Sequence, residues 1–339
     1  MKLGRVVRPT PDGPRARIVA VQPDSERVID LAQAYALTLQ RSGAEPERAS
    51  KIARSIFPSS MAAAIGGGDV FLDAAHDALE TADDASLPLL EVQWCAAVDS
   101  PVIRDGLTFS QHIINFSEKV THALPNPNIY KIPGYFKGST ATVYGHNEEI
   151  PYPDFTDAFD YELEIGYVVG RRGRNLTPDD ALNHLFGITI FNDFSARDVQ
   201  GAEMAIGMGP QKCKDFAYGI GPWITTMDEV SSIEGLTGSV RVNGETWSTC
   251  VAGDMVYTPA ELVAYVSIAD YLQPGDLIGS GTLGFGSGLE LGKTLSPGDV
   301  VELELESVGT LRSPISKTRE KAPWWPEPRP YPFEVQDVN

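Results

Sequence analysis

Cysteine is scarce in this chain. Cys95, Cys213 and Cys250 are the whole complement, and no two stand in a CxxC pair. Neither a disulfide framework nor a structural zinc site is therefore suggested. Positive charge is short as well: 27 Lys and Arg face 46 Asp and Glu, a formal net charge of -19 with no basic run. That balance repels nucleic acid and anionic lipid, so neither a nucleic-acid nor a membrane partner is expected. Long apolar runs are missing too. Nothing approaches the ~20 residues of a membrane span, and the start, Met1 to Thr10, has no apolar signal core. A cytoplasmic location is the expectation, which makes the glycosylation-like triplets at Asn115 and Asn175 chance matches.

What is present is enough chain for about two domains, 339 residues, with a change of pattern near residue 95. Residues 1–95 mix short strand signals at 16–21 and 27–31 with Ala-rich helical stretches around 32–41, 46–56 and 71–82, and read as a small N-terminal module. Residues 96–319 are dominated by strand signals at 141–144, 160–169, 187–192, 220–226, 238–243, 276–279 and 299–306, with helices near 110–121, 178–186 and 258–271. Asn243-Gly244 predicts a hairpin turn. The 320–339 tail interleaves Pro323, Pro326, Pro328, Pro330 and Pro332 with Trp324, Trp325, Tyr331 and Phe333, which excludes helix and central strand and suits docking on the body or on a neighbouring subunit.

The segment 160–169 puts acid where a strand should be apolar. Residues two apart share a face, so Glu162 and Glu164 project together while Leu163 and Ile165 point the other way. Either that face is solvated, or the paired carboxylates are buried and neutralised by a divalent cation or a shared proton. Asp193 and Arg197 follow the apolar strand 187–191, at a strand end where a rigid sheet presents chemistry. Gly279 to Gly284 satisfies G-x-G-x-x-G, yet no helix start follows to carry a pyrophosphate. It reads better as a tight loop that lets Thr282 and Glu290 approach a ligand. Taken singly, His112 reads as a capping or packed residue and Lys214 as an exposed charge or an electrostatic catalyst.

Together these segments resemble the fumarylacetoacetate hydrolase family. The resemblance is carried by Arg104-Asp105 to Gln111-His112, Asp160 to Glu164, Asn192 to Gln200, Lys214-Asp215-Phe216, Gly221-Pro222-Trp223, Gly279 to Thr282, Leu289-Glu290-Leu291 and Pro297 to Leu303, in order over residues 100–312. It implies an α+β, β-rich fold: a mixed β-sheet roll around a divalent cation, magnesium, manganese or calcium, with the N-terminal residues as a small cap module. Glu162, Glu164 and Asp193 fall on metal-ligand positions and Asp105 on a fourth acid. His112 falls on the general base, Glu290 on the acid that orients it, and Arg197, Gln200 and Lys214 on groups that stabilise developing negative charge. Arg197, Gln200 and Thr282 fall on substrate-binding positions. Met204 and Tyr218 depart from the fumarylacetoacetase branch, which has a tyrosine and a threonine there.

The implied chemistry is metal-dependent hydrolysis of a carbon-carbon bond in a 1,3-dicarbonyl or acylpyruvate-type 2-oxo acid. The cation polarises the carbonyl and stabilises an enolate, and His112 with Glu290 activates water. The same machinery suits decarboxylation, tautomerisation or dehydration of a 2-oxo acid or 2-oxo-3-deoxy sugar acid. A non-catalytic, metal-stabilised binding protein is the reading from another class. A homodimer is expected, with the turn-rich stretch from Thr142 to Phe155 as a substrate lid.

Overall fold

The computed structural model describes residues 1–10 and 13–333. Its frame is a large mixed sheet, and the order of its strands explains how distant parts of the chain meet. From one edge inward run Ser86–Pro88, Arg27–Asp30, Arg15–Gln22 and Lys2–Arg8. Next come Tyr218–Thr226, Leu185–Asp193, Glu162–Val169, Leu277–Ser287, Ile103–Gly106 and Tyr135–Gly138. A second sheet, of Glu245–Val251, Thr237–Val242, Val300–Leu305, Gly309–Glu320 and Ile150–Pro153, packs against the first.

The central strand Glu162–Val169 is buried along its whole length, and its alternation divides the molecule. Leu163, Ile165, Tyr167 and Val169 enter the core shared with Val240, Val301, Leu303 and Leu305 of the second sheet. Val168, on the opposite face, joins Phe191, Leu277 and the N-terminal core of Phe57, Phe71 and Ala75. Glu162 and Glu164 lie on this second face. The helices Leu31–Arg41, Pro46–Ile56 and Asp69–Leu79 match the Ala-rich stretches, and Asp30 caps the first by accepting from the Gln33 N–H at 3.1 Å.

The expected hairpin forms, with φ of 54° at Asn243 and 80° at Gly244. Other expectations change. The 178–186 helix is one short turn, Pro178–Ala181 with a 3-10 extension, because the strand already begins at Leu185. The glycine-rich 279–284 segment is not a loop: it belongs to the eleven-residue strand Leu277–Ser287. Its glycines serve close approach. A Cβ on Gly279 would collide with Asp105 Oδ1 and stand 2.8 Å from Glu164 Oε2.

The N-terminal residues extend the sheet: Lys2 and Leu3 pair with Thr225 and Ile224. Thr142 to Phe155, expected as a lid, is pinned at two places: Val143–Tyr144 pairs with Tyr218 and Gly219, and Ile150, in the strand Ile150–Pro153, pairs with Ile315. Among the described residues beyond Glu320, 321–333, there is neither helix nor strand. Trp325 stacks on Phe155 at 5.0 Å and 4°, while Trp324, Tyr331 and Phe333 are exposed; residues 334–339 of the expected tail lie outside the described residues.

Candidate active site

Three strands deliver the acids, and a fourth runs between two of them. Ile103–Gly106 lies parallel to Leu277–Ser287 with Asp105 opposite Gly279, Glu164 pairs with Thr282 on the other side, and Asp193 ends its own strand. Asp105, Glu164 and Asp193 each place a carboxylate oxygen within 4.8 Å of the others, and all three are buried. The solvated-face reading of Glu162 and Glu164 is therefore excluded: they are 4% and 1% exposed. Burial first, then the neighbouring carboxylates, pushes Asp105 well above the usual carboxylate range, and Glu164 and Asp193 are raised likewise, chiefly by burial. One oxygen each of Asp105 and Asp193 is buried without a hydrogen-bond partner. A divalent cation fits this donor set, which is all hard oxygen and crowded.

Glu162 stands apart from that trio and faces cations. Lys214 Nζ donates to Glu162 Oε2 at 2.6 Å, to Asp193 Oδ2, and to Ser195 Oγ at 2.7 Å, so all three ammonium protons meet oxygen. Arg197 Nη2 lies 2.7 Å from both Glu162 Oε1 and Asp160 Oδ2. Burial opposes ionisation of Glu162, but Arg197 and Lys214 outweigh it and hold its carboxyl below the usual range. Arg197 is itself fixed: Nε donates to Asp160 at 2.8 Å and Nη1 to Gln200 Oε1 at 3.0 Å. Asp160 also accepts from the Gly288 and Leu289 N–H groups at 2.8 and 3.0 Å. The turn carrying Lys214 is tied to the helix Arg197–Ile206 through Glu203, which accepts from the Gln211, Lys212 and Cys213 N–H groups.

His112 sits on the helix Ser110–Phe116, 4% exposed, with Nδ1 3.1 Å from Glu290 Oε2 and Nε2 3.9 Å from Glu162 Oε1. Glu290 is placed by a capping box: it is the third residue of the turn Gly288–Leu291, and its Oε2 accepts from Ser287 N–H and Oγ at 3.2 and 2.9 Å. Its Oε1 accepts from Phe285 N–H at 2.9 Å and Asn115 Nδ2 at 2.8 Å. Burial raises its pKa, but the contact with His112 and these donors prevail, so Glu290 is held below the ordinary value.

These groups open into one cavity of about 1350 Å³. Asp105, Glu162, Glu164, Asp193, Lys214, His112, Gln200 and Thr282 line it, whereas Arg197 and Glu290 stand behind Glu162 and His112. Thr282 Oγ1 is 3.5 Å from Glu164 Oε1. Residues 116–136 and the helix carrying Met204 supply the remaining wall, and among the described residues none of the first 95 lines it. Of the two departures, Met204 lies on the wall, while Tyr218 pairs with Asp193 and stacks on Phe191 at 5.5 Å. Sequence reasoning assigned no task to Asp160, Asn115, Ser195 or Glu203. The spacing of Asp160 two residues before Glu162, on the same face of an extended segment, was a visible signal for Asp160; the others act through contacts between segments apart in the chain.

A family model described as fumarylacetoacetate (FAA) hydrolase C-terminal matches residues 101–316. The chain is 30% identical over 270 residues to oxaloacetate tautomerase YisK of Bacillus subtilis, covering 76% of this chain and 87% of that protein. It is 33% identical over 251 residues to 2,4-didehydro-3-deoxy-L-rhamnonate hydrolase of a Sphingomonas species, covering 71% and 84%. In structure it is similar to maleylpyruvate hydrolase from Sphingobium sp. SYK-6, solved with manganese (II) ion and pyruvate, with a TM-score of 0.68 at 21% identity over 93% of this chain and 99% of that one. The protein belongs to the fumarylacetoacetate hydrolase family.

Proposed function

We propose that this chain is a divalent-cation-dependent hydrolase that cleaves a carbon-carbon bond in an acylpyruvate-type 2-oxo acid. One observation carries the reading: the His112–Glu290 pair, 3.1 Å apart, backs onto the same cavity as the acid trio of Asp105, Glu164 and Asp193. Support also comes from a relative named as a hydrolase of a 2,4-didehydro-3-deoxy acid and from a structural neighbour solved with manganese and pyruvate.

Asp105, Glu164 and Asp193 would hold the cation. Bound there, it supplies Lewis acidity that polarises the carbonyl oxygens of a 2-oxo acid. Gln200 and Thr282 orient the substrate from the wall. His112 takes a proton from water through Nε2, while the Glu290 carboxylate, 3.1 Å from Nδ1, stabilises the imidazolium that forms. Hydroxide adds to the acyl carbonyl. Collapse of that tetrahedral centre breaks the bond to the methylene carbon, releasing a carboxylic acid and the enolate of pyruvate, and His112 returns its proton to the enolate carbon. Lys214 and Arg197 keep Glu162 ionised and in place, and their positive charge offsets that of the acids around the reacting oxygens.

A second reading is favoured by the relative named as an oxaloacetate tautomerase: the same His112–Glu290 pair moves a proton between carbon and oxygen without cleavage, and decarboxylation or dehydration needs no more. Turnover after chelation and reloading with magnesium or manganese, on acylpyruvates, fumarylacetoacetate, oxaloacetate and 2-oxo-3-deoxy sugar acids, separates them by product mass. Metal-dependent formation of two fragments with uptake of water supports the hydrolase; isomerised substrate, or loss of carbon dioxide or water alone, supports the second reading. We also propose a cytoplasmic homodimer, supported by three free cysteines and by the exposed Trp324, Tyr331 and Phe333.

A further inference from the structure

The charge on the cavity wall is confined to one end. Asp105, Glu164 and Asp193 form the acid trio, Lys214 binds Glu162 and Asp193, and His112 lies 3.9 Å from Glu162. Among the described residues, no other charged side chain lines the cavity. The rest of the wall is neutral and largely apolar, with Leu107, Ile113, Phe116, Val120, Leu124 and Met204 prominent in it. Several of these side chains face solvent: Leu124 is 90% exposed and Met204 45%. An apolar surface continuous with a reactive end gains by being covered. At about 1350 Å³ the cavity also exceeds the roughly 300–1000 Å³ of ordinary ligand sites.

We infer that the site takes a 2,4-dioxo acid whose acyl group is an extended apolar chain or an aromatic ring, and that it discriminates against a second carboxylate at the far end. The head of such a substrate lies at the acid cluster, so the inference rests on the reading proposed above. The tail replaces water along the apolar wall. A distal carboxylate would meet no cation there and would lose hydration without compensation.

The test has two arms on magnesium-loaded protein. The first is kcat/KM for 2,4-dioxopentanoate, 2,4-dioxooctanoate, 2,4-dioxodecanoate and the diacid 2,4-dioxooctanedioate. The expected rise is roughly fourfold per added methylene, with the diacid at least about tenfold below its monoacid of equal length. The second arm is the calorimetric Kd of 2-oxooctanoate against 2-oxooctanedioate, which involves no turnover and is expected to show the same order. Tighter binding of the monoacid than of the diacid without any cleavage would sink the hydrolase reading and leave this inference standing. Cleavage that is flat with chain length, as a mouth covered by a second copy would give, or that prefers the diacid, overturns the inference and spares the hydrolase. Absence of both cleavage and binding overturns the inference as well. Met204→Arg places a cation at the mouth on an exposed position. It should move the diacid-to-monoacid ratio at least about tenfold toward the diacid at unchanged Tm, and an unchanged ratio counts against the inference.

Discussion

Asp105 and Glu164 meet across Gly279: the parallel pairing of Ile103–Gly106 with Leu277–Ser287 sets Asp105 opposite that glycine, and a side chain there would strike both carboxylates. The acid trio exists because the third strand between them offers no Cβ. Gly279→Ala should therefore lower affinity for magnesium or manganese by at least about tenfold and cost roughly 1–3 kcal/mol in stability. Calorimetric titration of the variant checks this; wild-type affinity would show that the two carboxylates need not converge.

His112 and Glu290 are expected to separate from Asn115 in the size of their effects. His112→Ala should reduce kcat by at least about a hundredfold without changing metal affinity. Asn115 touches Glu290 only from behind, donating at 2.8 Å, and is a positioning residue. Asn115→Ala should cost kcat roughly three- to tenfold with KM unchanged. Steady-state kinetics on both variants decides; equal losses would mean that Asn115 itself contacts substrate.

The metal-free protein should lose stability as pH rises. Asp105, Glu164 and Asp193 are raised, mainly by burial, so the folded chain binds more protons than the unfolded one. Their contribution is complete below the ordinary carboxylate pKa of ~4 and is lost as pH climbs through the raised folded values. Glu162, held low by Arg197 and Lys214 against its burial, has the opposite sign, and its contribution is lost on the acid side. Thermal melts in chelator between pH 4 and 8 should show Tm falling with pH, and added magnesium or manganese should restore it with release of protons. A Tm independent of both pH and metal would contradict the coupling.

Asp160→Asn removes the clamp that fixes Arg197 through Nε at 2.8 Å and leaves a guanidinium buried with less charge against it. A cost of roughly 3 kcal/mol is expected in chemical denaturation. A change below about 1 kcal/mol would show that Glu162 alone suffices for Arg197.

The period of two along 160–169 was enough to put Glu162 and Glu164 on one face, and the Asn-Gly turn and the Ala-rich helices were equally local signals. Convergence was not. Asp105 reaches Glu164 only through pairing with residues more than 170 positions away, and Asn115 reaches Glu290 across a similar span. Glycine misled the reading of 279–284, because a strand that must admit two carboxylates resembles a loop in composition. The lid was misplaced for a related reason: turn residues between 142 and 155 hide two short strands, while the cavity mouth is built by 116–136 and the helix bearing Met204. Arg197 and Glu290 were identified by position, yet whether such a group faces the ligand or stands behind another side chain depends on packing.

The most direct test of the central claim is cleavage of an acylpyruvate by the magnesium-loaded protein in ¹⁸O-labelled water. Hydrolysis assisted by His112 and Glu290 predicts one labelled oxygen in the released carboxylic acid, with unlabelled carboxylate in the pyruvate. Consumption of substrate with neither fragment formed, or fragments without label in the acid, would contradict it.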